Sequence, residues 1–389
     1  MTPCWTSTRA CASSCVARRR TDYFHHSVSQ SRDVFGSKKM KHWGTRTESG
    51  VSSSHRRISR SASSNEPSSS ESKGDAFALA GFFLGAPAIA TLIDPCKLVR
   101  DGLGLTCASP AFGENFENAS QVQHFANAFG TEAFALVALA GLYTLKDAAE
   151  NDRLKSETYQ RLALAMVLYS GSLMVAFGGA FAQAVATGEV GPSAVAVGAV
   201  VASLTPAGYS GYKAIKEFGP GHNATWERIG KDFDSVKQLG KNSEKGGKLE
   251  LFYKASFWSS LIVGGSFAFS PLSPLAIMNE TAPSAQLIQR AFGLATCFLL
   301  APTQYVLVDA ASRGRLGGGT FKKLNLSIAV AIALVDWMTI YTFTVLSSLA
   351  PAEQTLESAS GGLPNYYGAL VVSGAIVAVY LYQGLFAKK

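Results

Sequence analysis

Two carboxylates stand inside stretches that are otherwise apolar. Glu132 interrupts residues 125–145, and Asp336, beside Trp337, interrupts residues 324–350. A charge near the centre of a bilayer costs about 2.5–3.5 kcal/mol on insertion scales, so such an acid faces a cavity or a partner. The chemistry open to these two is binding of a proton or a cation. The structural alternative is a neutral acid hydrogen-bonded to a neighbouring helix, or one paired with Arg290. Gln183, Gln304 and Tyr305 are further polar residues that can line the same interior, or simply join one helix to the next.

A second set of residues recurs. Residues 146–164 read KDAAENDRLKSETYQRLAL and residues 308–326 read VDAASRGRLGGGTFKKLNL. Asp147, Arg153 and Thr158 align without a gap with Asp309, Arg315 and Thr320, as do two Ala and three Leu around them. In each copy an aspartate ends one apolar segment, an arginine precedes the next, and the threonine is placed to cap the following helix. A carboxylate and a guanidinium across a short turn can staple a helical hairpin. The functional alternative is a gate, or a contact for a substrate phosphate. Tyr143 and Tyr305 stand at the same 162-residue offset, whereas the counterparts of Asp336 and Glu132 are the apolar Met174 and Leu294. One intramembrane acid per half, at unmatched positions, suits a specialised site.

The elements that must hold these residues are long and apolar. Residues 76–93, 125–145, 162–187, 190–212, 255–279, 291–308, 324–350 and 366–387 each approach or exceed the roughly 20 residues that cross a bilayer as a helix. A membrane barrel would show short alternating strands instead. The expected fold is therefore an all-α polytopic membrane protein. It has eight transmembrane helices, arranged as two tandem four-helix repeats, 76–212 and 255–387. Four spans return the chain to its starting side, so the halves share one orientation and a pseudo-two-fold axis along the membrane normal. Gly81 and Gly85, Gly178-Gly179 and Gly264-Gly265 are expected to let helices approach closely.

Charge gives an orientation. The loops after the second, fourth and sixth segments carry four, nine and four basic residues, while those after the third and seventh carry none. The positive-inside rule puts both termini on the basic side. Charged residues make up 16% of the chain, well below the roughly 25% of soluble domains. The net charge of +8 comes from residues 1–65, where 12 Lys/Arg face three acids. The remainder holds 23 basic and 24 acidic residues, so the charge gives no reason to expect nucleic acid. Residues 1–65 are rich in Ser and Arg, poor in acids, and lack a secretory apolar core. This composition predicts an organelle transit peptide, chloroplast in preference to mitochondrial, with a disordered cytosolic tail as the alternative. The membrane is then the inner envelope or thylakoid with both termini stromal, or else the mitochondrial inner membrane.

Between the halves, residues 213–254 are polar. Trp226, Ile229, Phe233, Val236 and Leu239 recur at helical spacing, which predicts an amphipathic helix on the stromal surface. It serves as a connector or docks a protein partner. Cys96 and Cys107 share one loop and can bridge if it faces an oxidising space. The chain has no GxSxG, HExxH, Walker loop or CxxC, so neither catalysis, a cofactor nor a metal is expected. The function expected is a carrier or channel for a small solute or ion, with a non-catalytic membrane scaffold or assembly factor as the alternative.

Overall fold

The computed structural model describes residues 74–188, 191–220, 246–269, 283–349 and 363–387, together with Glu227, residues 229–232, Asp234 and Lys237. All regular structure among them is helical. Eight long helices follow in order: α1 (Asp75–Ile93), α2 (Ala119–Glu150), α3 (Glu157–Thr187), α4 (Ala194–Phe218), α5 (Gly247–Phe269), α6, α7 (Gly319–Ser348) and α8 (Leu363–Phe386). α6 is composite: Pro283–Ala295, a π turn over Thr296–Leu300, then Ala301–Ser312.

Six of these, α1 to α4, α6 and α7, are long and apolar enough to cross a membrane. This differs from the eight expected. α5 falls short because Glu250 and Lys254 occupy its first two turns and serines recur along it. Glu250 and Lys254 pair at 2.8 Å, both buried, so each charge has an opposite neighbour within the bundle. α8 falls short because its described apolar stretch, Leu370–Phe386, is shorter than the others.

The outer helices turn large apolar side chains outward. Phe82 on α1 is 68% exposed and Val175 on α3 is 75% exposed. In water such surfaces would drive aggregation, whereas lipid solvates them at no cost. The centre belongs to α6 and α2, whose apolar stretches are 78% and 67% buried, against 28% for α1, α4 and α7. α1 packs on α2, α3 on α4, α5 on α6, and α7 on α8. The middle helices also cross over, α2 packing on α7 and α3 on α6.

Close approach is concentrated at α5 and α6. A Cβ added at Gly293 would lie 2.6 Å from the Gly264 carbonyl oxygen, so here the backbones touch and only glycine fits. Gly81, Gly178 and Gly179 instead face open space, which corrects the expectation that they mediate helix contacts. Residues 94–118 form a knot at the end of α1. The Cys96–Cys107 disulfide closes it, and Arg100 pairs with Glu114 at 2.6 Å and Asp94 at 3.4 Å. The Ser193 amide, which precedes α4, donates to the Gly102 carbonyl at 2.7 Å and ties the knot to the bundle.

Candidate functional site

Asp336 lies beside a cavity of about 180 Å³ between α5, α6, α7 and α8. Helical spacing brings the polar lining together. Ser256 and Ser260 are one turn apart on α5, and Thr296 and Gln304 lie on one face of α6, on and just beyond its π turn. π turns occur preferentially at functional sites. Ser373 of α8 donates its hydroxyl to both Asp336 oxygens, at 2.7 and 2.8 Å. Thr296 donates to the Phe292 carbonyl at 2.9 Å. Gln304 is only 2% exposed; its Oε1 accepts no hydrogen bond among the described residues, and the buried Tyr380 hydroxyl lies within hydrogen-bonding reach of its side chain. Phe134, Phe292 and Val335 supply apolar wall.

The other expected pathway residues are not gathered here. Glu132 is half-buried on α2, with Thr91 of α1 in hydrogen-bonding reach. Phe134, two residues on and roughly opposite around the helix, faces the Asp336 cavity. The two acids therefore lie on different sides of α2. Gln183 is exposed near the end of α3. Arg290 is exposed and reaches Gln286 at 3.4 Å, so among the described residues it pairs with neither intramembrane acid.

The two recurrent turns adopt the same backbone. Arg153 N–H donates to Ala148 O at 2.7 Å, and Arg315 N–H to Ala310 O at 2.8 Å. Ser156 N–H donates to Arg153 O and Gly318 N–H to Arg315 O, both at 3.0 Å. The left-handed residue falls at the matching position, Asp152 (φ 53°) and Gly314 (φ 65°). Their side chains diverge. Arg153 pairs with Asp147 at 2.8 Å, the expected staple. Asp309 instead accepts from Thr158 at 3.0 Å and pairs with Arg161 at 3.0 Å and Arg313 at 2.8 Å. Arg315 is not its partner. The helix caps are Ser156 and Gly318, so Thr158 and Thr320 sit within the first turn rather than capping it. Thr320 lies 3.5 Å from the Tyr159 hydroxyl.

Arg161 was visible in the sequence only as a loop charge, and it proves central. It forks onto Asp232 with two 2.7 Å bonds, holding the 213–254 connector against the bundle. It also lies over the Tyr305 ring at 5.3 Å, as Lys323 lies over Tyr143 at 4.3 Å. Arg161 and Lys323 stand 162 residues apart, as do Tyr143 and Tyr305, and that shared offset was the signal for both contacts. Ile229, Lys231 and Asp232 are helical; Trp226, Phe233, Val236 and Leu239 of the expected amphipathic stripe lie outside the described residues. Between the two turns opens a cleft of about 620 Å³, lined by Arg153, Lys155 and Arg315 among others.

Comparison with known proteins gives no match, either to a protein-family model or to a curated sequence.

Proposed function

We propose that this chain is a carrier or channel of an organelle membrane, chloroplast in first place, for a small solute or ion that passes the cavity beside Asp336. That cavity is the observation that carries the reading. A carboxylate, four serines and a glutamine side chain converge within a bundle whose outer surface is apolar, and groups of that kind mark solute pathways in membranes.

The same proposal takes α5 and α8 as spans, for eight in all, in two tandem four-helix units. Three observations support the duplication: matched hydrogen bonds in the two turns, Tyr–cation contacts repeated at one offset, and the exchange of middle helices between halves. A pseudo-two-fold axis along the membrane normal produces all three. The basic turns then face the stroma. The Cys96–Cys107 knot, at the far end of α1, faces the opposite and oxidising side. Residues 1–65 serve as the transit peptide.

The scaffold reading draws on the connector, where Glu227, Lys231, Asp234 and Lys237 stay exposed while Asp232 docks on Arg161. It requires no solute path. Vesicle swelling separates the two. Proteoliposomes of the full chain are challenged with monovalent salts, neutral polyols and amino acids. The carrier reading expects protein-dependent entry of one class and its loss in Asp336→Asn. Entry equal to that of protein-free vesicles for every class contradicts it.

A further inference from the structure

We infer that the cavity beside Asp336 binds one monovalent metal cation. The inference rests on reading this cavity as the solute site, and it names the class of solute. Charge comes first. Among the described residues, Asp336 is the one carboxylate in the lining, and no Lys, Arg or His lies there to neutralise it. A single monovalent cation balances one negative charge. A divalent ion would remain half-compensated in apolar surroundings, and an anion would add to the imbalance. Soft or borderline metals want imidazole or thiolate, and the described lining residues offer neither.

The donors agree. Asp336, Ser373, Ser256, Ser260, Thr296 and Gln304 present oxygen, the ligand type of hard cations. Gln304 is decisive. A buried amide oxygen that accepts no hydrogen bond is an unfavourable arrangement that folded proteins seldom keep. A cation supplies the missing electrophile. Ser373 spends its one hydroxyl proton on Asp336, which leaves its oxygen lone pairs available. Thr296 is in the same state, because its proton goes to the Phe292 carbonyl.

Size also discriminates. A volume of about 180 Å³ holds on the order of six waters at roughly 30 Å³ each, enough for a partly hydrated alkali cation. It is below the roughly 300 Å³ at which pockets for larger organic ligands begin.

The test uses the detergent-solubilised full chain. Its unfolding midpoint is measured in NaCl, KCl and choline chloride at equal ionic strength. The inference expects a midpoint roughly 2–4 °C higher in one alkali salt than in choline, saturating with concentration. Asp336→Asn and Gln304→Leu should each abolish the rise. The leucine variant removes the unpartnered oxygen at similar volume and so keeps the fold. Equal midpoints in all three salts would overturn the inference, as would a rise that survives Gln304→Leu. Equal midpoints together with a water-accessible residue 336 would remove the cation and leave the carrier reading intact. A cation-dependent rise at a sealed site would do the reverse.

Discussion

At the scale of residues, the ion pairs on the basic face make the sharpest predictions. Asp309 and Arg161 are 9% and 11% exposed at the side chain, so each is a desolvated charge that relies on the other. Arg161→Ala leaves Asp309 and Asp232 short of a partner and should cost about 2–4 kcal/mol in an SDS-unfolding titration. Arg153→Ala breaks a pair exposed by 47% and 40%, and should cost less than about 1 kcal/mol. Backbone conformation gives an independent check. Gly314 holds φ 65°, where a β-branched residue clashes, so Gly314→Val should lose about 1–2 kcal/mol. Asp152→Gly, at the matching φ of 53°, should be neutral or slightly stabilising. This scale also shows what local spacing can reveal. Asp147 and Arg153 are six residues apart, and the structure pairs them as that spacing suggests. Asp309 and Arg315 have the same spacing and do not pair, because Thr158 and Arg161 arrive from a distant segment and take the carboxylate. No pattern within one turn announces such a competitor.

At the scale of elements, helix contacts separate glycines that matter from glycines that do not. Gly293 and Gly264 put α5 and α6 in backbone contact, so Gly293→Leu should force the pair apart and cost about 2–3 kcal/mol. Gly81→Leu meets open space on α1 and should stay within about 0.5 kcal/mol. The sequence motif favoured Gly81 and Gly85 because of their four-residue spacing, but spacing does not say which face of a helix meets a neighbour. The knot after α1 is a third case. Its disulfide closes a loop with a sequence separation of 11, so Cys96→Ser with Cys107→Ser should lower stability by about 2–3 kcal/mol. A reductant should lower the thermal midpoint of the native chain and leave that of the double variant unchanged. Caps were less legible. Thr158 and Thr320 are good capping types, yet the caps lie two residues earlier, at Ser156 and Gly318, because the turn closes on the Arg153 and Arg315 carbonyls.

At the scale of the molecule, hydropathy made a helical membrane bundle readable directly, since uncharged runs of this length have few other uses. It served less well for α5, where a buried Glu250–Lys254 pair lowers the apolar signal of the first turns. Asp336 was conspicuous for the opposite reason, as a charge where none is expected. What surrounds it was not readable, because Ser256, Gln304 and Ser373 come from three other helices and converge only through packing. The central claim is that water reaches this convergence from outside the bilayer. The most direct measurement is the reactivity of Asp336→Cys toward a membrane-impermeant thiol reagent in intact membranes. The background keeps the Cys96–Cys107 bridge and carries no other free thiol. Lys155→Cys, on an exposed turn, sets the upper limit, and Leu142→Cys, fully buried on α2, sets the lower. The account predicts labelling at 336 at least tenfold faster than at 142 (about 1.4 kcal/mol in apparent access). Labelling at 336 as slow as at 142, while 155 reacts, would contradict it and leave a sealed bundle.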